Sequence, residues 1–241
     1  MNNIKEEQVL EFFKTWHLDN ESQRYLGYHS KRYEYLLSEI SKLVPSNDEF
    51  DILDIGAAYQ TALLRNYYPK VNIDTLGFFD KRFPPREIDV HHELDLNLFK
   101  NSQIDKKYDL IVFSEVIEHL YTSPVVILKY LRSLLKDDGV IIIQTPNASS
   151  LWKRISLLMG KNPYELIRID SEKNPGHFRE YTIKELKIIT EESGFTVSNF
   201  SIKNYFNKEN LKHKLCDLLT DILFDTLREG ITINLKKSKS T

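Results

Sequence analysis

The sequence predicts an α/β protein: a doubly wound, mostly parallel seven-stranded sheet behind an N-terminal helical cap. Three observations predict it. From about residue 45, short apolar runs alternate with amphipathic segments of helical period, the pattern of a parallel sheet with helices on both faces. The runs at 109–113 and 140–144 are almost continuously apolar, as strands covered on both sides must be. The 241 residues are 41% hydrophobic and carry a single cysteine, so the core must be built by packing and not by disulfides.

The elements follow in order. Over 4–16, Val9, Phe12, Phe13 and Trp16 recur at helical spacing, and over 21–43 so do Tyr25, Tyr33, Leu36, Leu37 and Ile40. Pro45 ends this cap, taken as residues 1–44. At 50–55 an apolar run stops at Gly56 and reads as the first strand. Residues 60–68 form a helix that stops at Pro69. Further strands are expected at 73–79, 88–92, 109–113 and 140–144, and a helix at 115–135 that tolerates or kinks at Pro124. Asp137-Asp-Gly reads as a turn. Helices at 148–159 and 182–193, a strand at 195–202, a helix at 207–228 and a strand at 231–235 complete the 45–241 domain. Its segment from about 148 to 181 is long enough to be a lid insertion.

Composition narrows the function. Lys+Arg 33 against Asp+Glu 35 gives a net charge of −2, which excludes a generally basic nucleic-acid binder. With one cysteine, Cys216, a cysteine zinc cage is excluded as well. No apolar run approaches the ~18 residues of a membrane span. The opening MNNIKEEQVLEFF has acids where a secretion signal needs bases, so a cytoplasmic protein is expected.

Ligands of open α/β sheets bind beyond the carboxyl ends of the strands. That edge collects Asp54, Gly56, Ala58, Asp80, Asp95, Leu96, Ser114, Glu115, Glu118 and His119. An edge rich in acids disfavours phosphates, and the loop Asp54-Ile-Gly-Ala-Ala-Tyr-Gln60 lacks the glycines of a dinucleotide or phosphate loop. A ligand with a ribose, an adenine and a cation but no phosphate fits better, and S-adenosylmethionine has that composition.

The motifs Phe50-Asp-Ile-Leu-Asp-Ile-Gly56, Tyr108-Asp-Leu-Ile-Val-Phe-Ser-Glu-Val-Ile-Glu-His-Leu120, Leu134-Leu-Lys-Asp-Asp-Gly-Val140 and Gln144-Thr-Pro-Asn147 resemble class I S-adenosylmethionine-dependent methyltransferases, in particular the group that includes the ubiquinone-biosynthesis O-methyltransferases. The resemblance spans about 25–202 and implies a Rossmann-like methyltransferase sheet whose last strand is antiparallel. It implies that Asp54, Gly56 and Ala58 form the loop at the methionine moiety, with Ser114 and Glu115 beside it. Asp80 would hold the ribose, Asp95 and Leu96 the adenine side, and Arg32, in His29-Ser-Lys-Arg32, the methionine carboxylate. Family members usually have glycine where this chain has Ala58 and Gln60, and Asp80 stands three residues after Gly77 where two is usual.

Glu115, Glu118 and His119 stand at i, i+3 and i+4, which on a helix puts them on one face. In a first helical turn such acids also favour the macrodipole without any ligand. Together with Asn174-Pro-Gly-His177 the set resembles small-RNA 3′-terminal 2′-O-methyltransferases. That resemblance implies Glu115, Glu118, His119 and His177 as holders of a divalent metal, for which Mn²⁺, Fe²⁺ or Zn²⁺ suits two carboxylates and two imidazoles. Without metal, Glu118, His119 and His177 are the catalytic candidates and either histidine is a candidate general base. His91-His92 is expected to be structural, because adjacent strand residues face opposite ways. Trp152, Lys153, Arg154 and the 161–164 segment are candidates for contacting a sugar phosphate, a glycan or RNA. The 207–228 helix reads as a packing helix and a candidate lid or homodimer element.

The expected function is methyl transfer to a hydroxyl of a small molecule or saccharide. Two alternatives stand beside it: a metal-dependent RNA 3′-terminal 2′-O-methyltransferase, and a cofactor-binding module without catalysis, suggested by the altered 54–60 loop.

Overall fold

A computed structural model describes residues 4–45, 49–99, 103–168, 176–208 and 211–238. Asn174 and Pro175 of the second motif lie outside them. The chain opens with α1 (Glu6–Phe13) and α2 (Asn20–Ser41), the latter capped by Asp19, whose carboxylate accepts from the Ser22 amide at 2.7 Å. There follow β1 (Asp51–Ile55), α3 (Tyr59–Tyr67), β2 (Asn72–Gly77), β3 (His91–Glu93) and β4 (Tyr108–Ser114). Next come α4 (Pro124–Leu134), β5 (Leu135–Pro146), α5 (Leu151–Leu158), α6 (Ile183–Glu192), β6 (Phe195–Lys203), α7 (Leu211–Ile222) and β7 (Gly230–Lys237).

The seven strands run in the order β3-β2-β1-β4-β5-β7-β6. All pairs from β3 to β5 are parallel, and β7 lies antiparallel to both β5 and β6. This is the mostly parallel, doubly wound sheet expected. The period of two along each strand sorts its side chains into two cores. Leu53, Ile55, Ile111, Phe113, Ile141 and Ile143 pack with α4 and α6 on one face. Ile52, Leu110, Val112 and Ile142 pack on the other, with Val9 and Phe13 of α1 and Leu36 and Ile40 of α2. The N-terminal helices thus complete one layer of the sheet.

Two expectations are corrected. The helix predicted over 115–135 starts only at Pro124, which occupies the first helical position after Ser123. Proline's fixed φ and missing N–H suit that position, so it opens the helix and does not kink it. Residues 115–123 are irregular apart from a short 3₁₀ turn, Ile117–His119. The second correction concerns Asp137-Asp-Gly, which belongs to the entry of β5 and not to a separate turn. Leu135 pairs with Tyr108 before a register shift restores regular pairing at Val140. Among the described residues no helix is long and apolar enough to cross a membrane.

Candidate active site

The strand-crossover point between β1 and β4 opens into a cavity of about 490 Å³, within the ~300–1,000 Å³ range of small-ligand sites. Arg32, Gly56, Ala58, Asp80, Ser114, Glu115 and His119 all line it, so seven expected residues converge from five places in the chain. Tyr25, Phe78 and Phe79 also line it, although their helix and strand spacing gave them no role in a site. A larger cleft, about 1080 Å³, lies between α2 and the residues leading into α7 and holds none of the expected site residues.

The β1–α3 loop is shaped by two features. Gly56 has φ +75°, the left-handed region that favours glycine, and a Cβ there would meet Val116 Cγ2 at 3.2 Å. Asp54 is fully buried beneath the loop and accepts from Thr61 Oγ1 at 2.5 Å, while Thr61 Oγ1 accepts from the Ala58 amide at 2.9 Å. Gln60 donates to the Gly56 carbonyl at 3.3 Å, so this departure from the family pattern ties the loop to itself.

Burial pushes the Asp54 carboxyl up to about 7. The folded value lies above that of the unfolded chain, so the native state keeps a proton the unfolded state releases. Stability therefore falls as pH rises from about 4 to about 7. Asp54→Asn is expected to unfold at a higher temperature than the parent at about pH 8 and to converge with it near pH 4. Thermal melts of the two proteins running parallel across that range would contradict this assignment.

Arg32 is 1% exposed, yet no carboxylate pairs with it among the described residues. Its Nη1 donates to Ser114 Oγ at 2.6 Å and its Nε to His29 Nδ1 at 3.1 Å. Burial, then the Arg32 charge, pushes His29 down to about 2, so it is a neutral acceptor. Ser114 passes the chain on to Gln144, and Gln144 to Thr232, which anchors the guanidinium through β4, β5 and β7. A buried guanidinium lining a cavity without an anionic partner fits a ligand carboxylate.

Asp80 lines the cavity but is held in a two-pronged pair with Arg82, at 2.6 Å to Nη2. Asp95 and Leu96 do not line it: Asp95 caps the Asn97 amide at 2.8 Å and Leu96 lies in the core. His91 and His92 are structural partners of Thr75 and Tyr108, as expected from their opposite faces.

Glu115 is the one residue besides glycine with positive φ, +55°, among the described residues. A left-handed residue ends β4 abruptly and is a strained choice for glutamate. It also breaks the expected helical face. Glu115 and Glu118 do not stand one turn apart, and Glu115 falls outside the metal-type cluster, which comprises Glu118, His119 and His177. Ligand atoms of those three lie within 4.8 Å of one another.

The cluster is built to present free ligand atoms. His119 Nδ1 lies 2.9 Å from the Gly176 carbonyl, which can only accept, so Nδ1 carries the proton and Nε2 a lone pair. His177 Nδ1 lies 3.1 Å from the Glu180 carboxylate, which leaves its Nε2 in the same state. Glu118 is fully buried; Thr145 donates to its Oε2 at 2.9 Å and its Oε1 has no partner. Amides of Phe178 and Arg179 donate to the Glu118 carbonyl and pin the His177 segment over it. Burial, then the Glu115 charge, holds the Glu118 carboxyl well above the carboxylate range. A buried carboxyl and two imidazoles oriented through Nδ1 are donor types that could hold a transition metal.

Glu180 was not singled out in the sequence, although it stands three residues after His177. Its other oxygen pairs with Lys153, which also donates to the Asn147 carbonyl at 3.2 Å. Burial pushes Lys153 down to about 8. Arg154 donates to the Ser149 carbonyl at 2.7 Å, and Trp152 packs on His213. Lys153 and Arg154, two candidate acceptor contacts, are thus engaged within the protein.

A model of the methyltransferase-domain family matches residues 28–199. Solved structures with the same fold include an S-adenosylmethionine-dependent methyltransferase from Archaeoglobus fulgidus, 19% identical over 91% of this chain and 100% of that one, with a TM-score of 0.57. The CcbJ methyltransferase from Streptomyces caelestis is 10% identical, with 96% of each chain covered and a TM-score of 0.60. A putative sarcosine dimethylglycine methyltransferase from Galdieria sulphuraria is 14% identical over 87% of this chain and 86% of that one, at 0.57. No curated protein sequence matches the chain.

Proposed function

Because the chain belongs to the methyltransferase-domain family, with S-adenosylmethionine as methyl donor, we propose that it methylates a hydroxyl of a small molecule or saccharide. The observation that carries this reading is the shared position of His119, which lines the cofactor-sized cavity and belongs to the Glu118–His119–His177 cluster. Arg32 would hold the methionine carboxylate, the Gly56–Ala58 loop the methionine moiety, and Asp80 the ribose after exchanging Arg82 for it.

Methyl transfer is a direct displacement, so the protein's task is to align the acceptor oxygen and remove its proton. Glu118, His119 and His177 would hold a divalent cation, and a cation bound there would lower the pKa of an acceptor hydroxyl. The lone pairs at His119 Nε2 and His177 Nε2 would take the proton where no cation is bound. Residues 148–181 serve as the lid in this reading. An RNA acceptor is the weaker reading, because Lys153 and Arg154 are tied to Glu180 and Ser149.

The first test is calorimetry of the purified, chelator-stripped protein with S-adenosylhomocysteine, then with Mn²⁺ or Zn²⁺. Saturable binding of S-adenosylhomocysteine near one per chain is expected, as is a metal isotherm of similar stoichiometry. A folded protein that binds no S-adenosylhomocysteine would overturn the methyltransferase reading.

A further inference from the structure

Helix α7 is built inside out. Its inward positions are Cys216 and Thr220, both buried, whereas Leu211, Leu215, Leu218 and Ile222 are 81, 57, 59 and 78% exposed. Those four residues repeat at spacings of four, three and four, the alternating seam of a helix that packs against another helix. Leu157, Leu158 and Met159 at the end of α5 and Phe224 beyond α7 are exposed as well.

We propose that α7 pairs with α7 of a second copy of this chain, antiparallel, across a two-fold axis. The charges choose the partner and the direction. With the seam centred between Leu215 and Leu218, antiparallel pairing stacks Leu215 on the second copy's residue 218 and Leu211 on its residue 222. All four seam residues are then covered. The same alignment brings Lys214 beside the second copy's residue 221, and Asp221 beside its residue 214, so two opposite-charge contacts form by symmetry. Parallel pairing would instead set Lys214 beside a leucine. Lys214 makes no ion pair among the described residues, and Asp221 reaches Arg228 only at 3.5 Å, while Arg228 holds Asp225 at 2.7 Å.

Sedimentation equilibrium of the full chain at micromolar concentration should give twice the chain mass. Leu218→Asp should give the single-chain mass, with circular dichroism and S-adenosylhomocysteine binding unchanged, since the residue touches neither core nor cavity. Lys214→Glu should weaken the dimer about tenfold through two like-charge contacts. Lys214→Glu combined with Asp221→Lys should restore it. A monomeric parent, or a dimer indifferent to Leu218→Asp, would overturn the proposal. A charge reversal that the double variant fails to rescue would overturn the antiparallel arrangement. None of these outcomes depends on the methyl acceptor or on a metal.

Discussion

Arg32→Met is expected to weaken S-adenosylhomocysteine binding about a hundredfold while leaving the folded state as stable as before or more so. A forked guanidinium–carboxylate contact in a buried site is worth about 3 kcal/mol, and ~1.4 kcal/mol is tenfold in affinity. The stability half of the expectation has the opposite sign from that of an ordinary core mutation. Arg32 is buried with no carboxylate in direct contact among the described residues, so its desolvation is offset by the more distant Glu115 charge and not by an ion pair in contact. Methionine fills a similar volume without the charge. Ser114 keeps its bond to Gln144 at 3.0 Å, so it is not orphaned. Glu115, whose carboxyl burial raises and Arg32 lowers, takes up a proton in the variant and is not left as a bare buried anion. Calorimetry and a thermal melt read the two halves separately. A variant that binds the ligand like the parent would remove Arg32 from the site.

The parts of this molecule that the sequence makes legible are those governed by local pattern. Apolar runs at β1, β4 and β5 announce buried parallel strands, and Gly56 marks the turn that needs a left-handed residue. The convergence of Ser114 and Glu115 on one cavity follows from the strand-end rule once the sheet is known, whereas Arg32, on α2, was implied only by the family resemblance. Three features were not legible in this way. Glu115 adopts a left-handed conformation that glutamate rarely takes, so a continuous helix from 115 looked natural. Pro124 does carry the signal that a helix starts there, but it reads equally as a kink until Ser123 is seen as its cap. The Lys153–Glu180–His177 connection ties Lys153 to residues 24 and 27 positions further along the chain, a separation that no periodicity encodes. Helix α7 is the instructive reversal. Its seven-residue leucine pattern is plain, and a packing helix was expected, but periodicity gives a face and not the direction in which that face points.

Glu118→Gln is expected to produce the complementary loss: metal affinity and methyl transfer fall about a hundredfold or more, while S-adenosylhomocysteine binds within about twofold of the parent. Removing the only carboxylate from a three-ligand set takes away its charge and one donor oxygen, and losses of ~10–100-fold are typical even for residues that only support a ligand. Glu118 does not line the cavity that Arg32 and Gly56 line, whereas its neighbour His119 does, which is why the two readouts should separate. The metal-free variant should also melt above the parent. Glu118 is fully buried with one partnerless oxygen and lies near Glu115, so above the usual carboxylate range the parent must hold a proton that the unfolded chain releases, whereas a neutral amide carries no such cost and keeps the acceptor for Thr145. Arg32→Met and Glu118→Gln thus form a crossed pair, one losing the cofactor and retaining the metal, the other the reverse. If Glu118→Gln retains both metal binding and turnover, the cluster has no part in the chemistry. If it retains turnover but loses metal, the two histidines act as bases without a cation, and His177→Gln then becomes the variant that abolishes transfer.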